Sequence, residues 1–199
     1  MTDPRFWPWL WDIENEIRSV VPLVYYHVWD NFPAPKFNAP FYESNDLIAT
    51  ISKVTDDIVS IVSPSVSRIR IPHTTNTGIF KKLPDNLVTE FRRNNKLAYK
   101  KNGEKKFLFF WNNRNARRKQ SGTVLWWFSE FLDIVGRDNA AIIMHTEPKD
   151  PNGQDLEAIM IETGMTDGEA LLSVNKMPLE DLAMLYNVAD CTINIADAE

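Results

Sequence analysis

Lys106-Phe-Leu-Phe-Phe-Trp-Asn-Asn-Arg-Asn-Ala-Arg-Arg-Lys119 joins a short apolar run to a crowd of amides and bases. The run from Lys106 to Trp111 predicts a buried strand. Asn112 to Lys119 then sets four basic groups and three amides at the carboxyl end of that strand. Arginine and lysine held there suit a diphosphate, through charge-assisted hydrogen bonds. A helix beginning near Ser121 and Gly122 would add a favourable dipole. The other readings of the same loop are a solvated connection or a nucleic-acid contact.

Working outward, strands and helices alternate. Thr123 to Val135 predicts a helix with Val124, Phe128, Phe131 and Val135 on one face. Ala140 to Met144 predicts a strand, and Gln154 to Thr163 a helix with Leu156, Ile159 and Met160 inward. Ala170 to Val174 is a strand. Pro178 opens a helix at the position where its missing N–H does no harm, with Leu179, Leu182, Ala183 and Tyr186 sharing a face. Cys191 to Ile195 is a final strand. This alternation with short connections predicts a parallel sheet covered by helices on both faces. Ligands then belong at the carboxyl ends of the strands, in the loops after Trp111, Met144, Val174 and Ile195.

Upstream the pattern is less regular. The first forty residues hold six of the twelve prolines and four of the seven tryptophans, which predicts loops and short elements. Asp12 to Ser19 fits a short helix with Asp12 as N-cap. Leu23 to Val28 and Leu47 to Ile51 predict buried strands, Thr55 to Val62 a helix, and Arg68 to Ile71 a short alternating strand. Pro72 to Gly78 reads as a loop, Leu87 to Tyr99 as a polar helix, and Asn102-Gly103 as a turn.

The net charge of −5 conceals a split. Arg92 to Lys119 holds eleven Lys/Arg against one acid, whereas Asp150 to Glu199 holds eleven acids against one base. That predicts either a basic patch facing an anion or a solvated helix face with a lysine-rich loop. Cys191 is the one cysteine, so an intrachain disulfide is excluded and a reducing, cytoplasmic setting is expected. No apolar run is long enough to cross a bilayer. Met1 to Trp11 lacks the basic start and apolar stretch of a signal peptide.

The histidines His27, His73 and His145 lack metal-ligand spacing, and a lone cysteine cannot build a zinc cluster. Neither a Walker loop, GxGxxG nor a serine nucleophile elbow is present. His145 follows a strand and is either a site residue or structural. His27 closes the Leu23 to Val28 run beside Trp29 and Asp30, as a small polar constellation or as packing. Trp7, Trp9 and Trp11 are either a sugar or base platform or packing.

Four stretches together resemble retaining glycosyltransferases of family 4. They are Asp46-Leu-Ile-Ala-Thr-Ile-Ser-Lys-Val-Thr55, Ile69-Arg-Ile-Pro-His-Thr-Thr-Asn-Thr-Gly-Ile-Phe80, Asn112 to Lys119, and the helix and strand from Leu179 to Glu199. The last is similar to the segment leading into that family's Glu-Gly-Phe-Gly signature. The resemblance implies an α/β fold of GT-B type: two Rossmann-like domains with parallel sheets, both incomplete in this chain. Residues 1–75 would be the last part of the N-terminal, acceptor-side domain, and 76–199 the first part of the C-terminal, donor-binding domain.

It further implies transfer of a sugar from a nucleoside-diphosphate sugar to a hydroxyl acceptor with retention. No cofactor or metal is needed, because positive groups stabilise the leaving diphosphate. Arg114 and Lys119 match the basic pair at the donor diphosphate, and Glu199 the first carboxylate of the E-x7-E motif. Asn113 and His145 lie in donor-side loops without a firm family role. His27 and Asp30 fall where acceptor-side catalytic residues would be. Expected partners are a nucleotide-sugar donor and a saccharide or lipid-linked acceptor, with no nucleic acid. Peripheral membrane contact of a longer parent is compatible with this, and the isolated fragment is expected to be inactive. Two departures stand out. The family's N-terminal domain carries more strands before Thr2, and its C-terminal domain continues past Glu199. The usual glycine after the first C-domain strand is also replaced by the Trp111-Asn112 region. The alternative is a non-catalytic nucleic-acid- or nucleotide-binding α/β module using the basic region from Arg92 to Lys119, against which the acidic C-terminal half argues.

Overall fold

The computed structural model describes residues 3–197. They form two compact units, the first ending at Thr75 and the second beginning at Asn76.

The first unit is built on a three-stranded parallel sheet, order β1-β2-β3, of Val24–His27, Leu47–Thr50 and Arg68–Arg70. The central strand is the apolar one, and Ile48, Ala49 and Thr50 are buried. Helices α1 (Pro8–Asp12), α2 (Glu14–Arg18) and α3 (Ala39–Glu43) precede it in the chain, and α4 (Lys53–Val62) follows it. Ser52 caps α4 by accepting a 3.1 Å bond from the Thr55 N–H. Thr55, Ile58, Val59 and Val62 recur at helical spacing, and Val59 and Val62 meet Tyr42, Ile48 and Val66 in the core.

Three expectations are corrected in this unit. The helix expected over residues 12–19 is the shorter α2, Glu14–Arg18, preceded by a separate helix that Pro8 opens. Asp12 therefore ends α1 instead of capping anything, and Ile13 precedes α2 without a side-chain cap. Strand β1 is an edge strand and is not buried throughout, Val24 being 54% exposed.

The second unit carries a four-stranded parallel sheet, order β6-β5-β4-β7. Its elements run α5 (Asp85–Asn94), β4 (Phe107–Asn112), α6 (Ser121–Val135), β5 (Ala140–His145), α7 (Leu156–Glu162), β6 (Ala170–Ser173), α8 (Leu179–Val188) and β7 (Cys191–Thr192). Because side chains alternate along a strand, β4 and β5 feed two cores. Trp111, Ala140, Ile142 and Met144 pack against α6 and α7 on one face. Leu108, Phe110, Ala141 and Ile143 pack against α5 and α8 on the other. Burial on both faces is why these strands are nearly continuous apolar runs. Each fully buried large side chain among them contributes roughly 1.5–3 kcal/mol over leaving it exposed.

Differences from the sequence reading are local. Helix α6 buries Val124, Leu125, Phe128 and Leu132, whereas Phe131 and Val135 are each 37% exposed. Helix α5 stops at Asn94, since Lys96 and Ala98 adopt positive φ (51° and 56°), incompatible with a continuing helix. Pro178 caps α8 from outside, and Leu179 and Tyr186 are exposed while Ala183, Leu185 and Val188 are buried. Strand β7 covers Cys191–Thr192 alone, lying beside Phe109 and Phe110 of β4, with Cys191 exposed.

The strand order fixes where a ligand belongs. From β4 the chain moves outward through β5 to β6, then crosses back to place β7 on the other side of β4. The carboxyl ends of β4 and β7 therefore flank the point where the winding reverses, the position of ligand crevices in open α/β sheets.

Candidate functional site

The loop leaving β4 at this switch point is the basic one, residues 113–120. It is held by the loop leaving β5, residues 146–155. Asn115 is fully buried and bonds to that loop on both sides of its amide. Its Nδ2 donates to the Pro148 (3.2 Å) and Gln154 (2.7 Å) carbonyls. Its Oδ1 accepts from the Ser121 hydroxyl (2.6 Å) and the Gln154 N–H (3.1 Å). A buried amide with all these partners is a strong positional constraint. The backbones touch as well: a Cβ on Gly153 would stand 2.2 Å from the Asn115 carbonyl oxygen, so only glycine fits. The Arg117 N–H donates to the Asn152 carbonyl at 3.1 Å.

At its far end the loop meets the segment after β7. Gln120 sits in the left-handed region (φ 57°, ψ 31°), an uncommon conformation for a residue with a side chain. It is secured by its Nε2 donating to Asp197 (2.8 Å) and its Oε1 accepting from the Thr123 hydroxyl (3.0 Å). The Asp197 N–H in turn donates to the Arg118 carbonyl at 2.8 Å. Non-glycine backbone strain of this kind is stored where surrounding structure over-determines it.

Within this frame Arg114 is 65% exposed and forked onto Asp150, Nε to Oδ2 at 2.7 Å and Nη2 to Oδ1 at 3.3 Å. The guanidinium bonds, with help from the Asn152 N–H, hold the Asp150 carboxyl down to about 2. Lys119 is buried, and Arg117 and Arg118 are exposed. Asn113 is half-buried. The first turn of α6, expected to offer its N–H groups, has the Gly122 N–H donating to Gln154 Oε1 at 2.8 Å.

The neighbouring strand ends form a polar row. Asn112, His145 and Ser173 are in register across β4, β5 and β6. His145 Nδ1 lies 2.9 Å from the Ser173 hydroxyl, and Asn112 Nδ2 donates to the Tyr186 hydroxyl at 3.0 Å. The structure thus gathers Asn113, Arg114, Lys119 and His145 at the carboxyl end of one sheet. Glu199 lies outside the described residues.

His27 and Asp30 belong to the first unit. His27 ends β1 and is 1% exposed, its Nε2 2.6 Å from the Tyr42 hydroxyl. Asn38 Nδ2 donates to that hydroxyl at 3.3 Å, while His27 Nδ1 is buried without a hydrogen-bond partner among the described residues. Burial pushes His27 down to about 4 and Tyr42 up to about 12. Asp30 is half-buried in the connection leaving β1.

The bases from Arg92 to Lys106 do not extend the loop into one patch. Buried Arg92 is spent on the Leu97, Ala98 and Lys106 carbonyls. Lys106 precedes β4 and pairs with Asp138, and Lys101 pairs with Asp167. These residues lie at the amino end of the sheet, opposite the loop after Asn112. The basic region read as continuous in sequence is divided by the sheet itself.

Among the described residues no group of three or more His, Cys, Asp or Glu is placed to hold a metal ion, and no helix is long and apolar enough to cross a membrane. Sequence reasoning missed Asn115, Asp150, Gly153 and Gln154. Their one local signal was the Asp150-Pro-Asn-Gly153 turn, which says nothing of its partner loop.

No family model matches the sequence, and neither does any curated protein. Solved structures do. A trehalose-6-phosphate structure from E. coli bound with UDP-2-fluoro glucose matches with TM-score 0.64 at 11% identity, covering 94% of this chain and 50% of that one. An α,α-trehalose-phosphate synthase (UDP-forming) from Burkholderia xenovorans, in complex with glucose-6-phosphate, gives 0.63 at 12%, covering 94% and 51%. A glycosyltransferase from Rickettsia africae ESF-5 gives 0.61 at 12%, covering 87% and 45%. The chain spans about half the length of these structures. Its fold is the parallel α/β architecture of GT-B glycosyltransferase structures, with a three-stranded and a four-stranded sheet.

Proposed function

We propose that the chain is part of a nucleotide-sugar-dependent glycosyltransferase of the family 4 type, with residues 76–199 binding the donor and residues 1–75 contributing to the acceptor side. The observation that carries this reading is the loop Asn113 to Gln120, with three arginines and a lysine, at the switch point of a parallel sheet. A nucleoside diphosphate leaving group gathers negative charge as the sugar departs. Positive groups already fixed in place stabilise it without reorganising. Arg114 supplies a planar fork suited to phosphate oxygens, and Lys119 a point charge. The UDP-2-fluoro glucose and glucose-6-phosphate named for the matched structures support the same classes of donor and acceptor here. Transfer would proceed with retention and without a metal ion. Turnover is proposed for a protein of the matched structures' length, and the 199-residue chain alone is expected to bind nucleotide without turning it over.

Calorimetric titration of the chain with UDP, GDP and ADP tests the donor assignment. One nucleotide should bind saturably, and Arg114→Ala and Lys119→Met should each weaken it roughly ten-fold or more. If none binds, or if both variants bind like the unsubstituted chain, the assignment falls. In the longer protein, NMR of the product's anomeric configuration tests retention.

A further inference from the structure

Arg114 does not stand free in its loop. Its Nε and Nη2 are forked onto Asp150, a residue of a different loop. Asp150 is itself fixed: its Oδ1 accepts from the Asn152 N–H at 2.8 Å and Nδ2 at 3.3 Å, and its carbonyl accepts from the Gly153 N–H at 2.9 Å. The turn carrying it is locked to the arginine's own loop through buried Asn115 and the close approach at Gly153. The Asp150 side chain is only 11% exposed. A long, exposed arginine is thus fastened at its tip to a rigid carboxylate.

The fork has two edges. Asp150 occupies the Nε/Nη2 edge. On the Nη1/Nη2 edge, Nη1 makes no bond among the described residues, and with the second N–H of Nη2 it offers the same bidentate pattern to phosphate oxygens. Holding one edge fixes where the other points. It also removes rotamer freedom that binding would otherwise have to freeze.

We propose that Asp150 is the positioning residue for Arg114, orienting the guanidinium so that its second edge takes a phosphate group of the nucleoside diphosphate. This rests on the donor-site reading above. Asp150 touches no ligand itself and acts through Arg114.

The test is a double-mutant cycle on the 199-residue chain, read as UDP affinity by calorimetry, or as affinity for GDP or ADP if that is the nucleotide bound. Asp150→Asn keeps an acceptor for the Asn152 N–H but loses the charge. It should weaken binding roughly ten-fold with an unchanged circular dichroism spectrum. Arg114→Ala should weaken binding at least as much, and the double variant no more than Arg114→Ala alone, since Asp150 has no other route to the ligand. Arg114→Lys keeps the charge but not the fork, and should also lose roughly ten-fold. It serves even if Asp150→Asn does not fold.

Asp150→Asn binding as tightly as the unsubstituted chain, or tighter, overturns the proposal while leaving the donor site standing. Losses that add in the double variant overturn it too, because a general structural role would produce them. Arg114→Lys binding at full strength likewise overturns it. An unsubstituted chain that binds no nucleoside diphosphate removes the donor-site reading and this proposal together.

Discussion

His27 shows how burial can outweigh a nearby charge, that of Asp3, in setting the behaviour of a titratable group. Its ordinary value of 6.5 is driven to about 4, so the folded chain holds it neutral where the unfolded chain would protonate it. Unfolded chains then bind more protons between those limits. The contribution to stability is complete above about pH 6.5 and is lost as pH falls toward 4, amounting at most to roughly 3 kcal/mol. Urea midpoints at about pH 7 and about pH 4.5 should differ for the native sequence, and the difference should shrink in His27→Gln. Gly153 provides a second test at this scale. Gly153→Ala puts a methyl 2.2 Å from the Asn115 carbonyl oxygen, which forces the two loops apart. We expect a loss of roughly 1–3 kcal/mol, read as a lowered thermal midpoint. Neither effect was legible in the sequence. His27 is neutral because the folded chain buries it, and the partners of Asn115 in the second loop, Pro148 and Gln154, lie 33 and 39 residues further along the chain.

Helix α6 marks the limit of periodicity at the next scale. The run from Ser121 to Val135 is apolar nearly all round, so more than one stripe fits a helical period, and the stripe through Phe131 and Val135 competes with that through Leu125 and Leu132. The sheet decides between them: Leu125 and Leu132 are fully buried, and Trp126, Trp127 and Ile134 remain exposed. Leu132→Ala should therefore cost about 2–5 kcal/mol in chemical denaturation, against under about 1 kcal/mol for Val135→Ala. Strands β4 and β5 were easier to read. Both faces of the sheet are covered, so they are almost uninterruptedly apolar, and no choice of face arises. Helix α5 was overextended because nothing in Asn95 to Tyr99 announces the positive φ angles at Lys96 and Ala98 that end it. The Ser52 cap on α4 was readable in principle, and Ser52→Ala should cost about 1 kcal/mol.

For the molecule as a whole, the chain passes from the first unit to the second at Thr75 and Asn76, within a stretch of exposed residues from Ile71 to Gly78. Brief digestion with a broad-specificity protease should cut there first and leave fragments of about 75 and about 120 residues, read by mass spectrometry. Alternation of strand and helix made the parallel α/β fold legible. The strand order was not, because β7 returns to the far side of β4 through contacts that leave no local trace. That return is what brings the segment around Asp197 beside the basic loop, at the end of the second sheet that also carries the polar row. It also leaves Cys191, the chain's single thiol, exposed on a short edge strand beside β4. A maleimide dye would attach there without any cysteine being added or removed. The chain therefore comes with its own spectroscopic reporter, mounted on one of the two strands that flank the proposed nucleotide crevice.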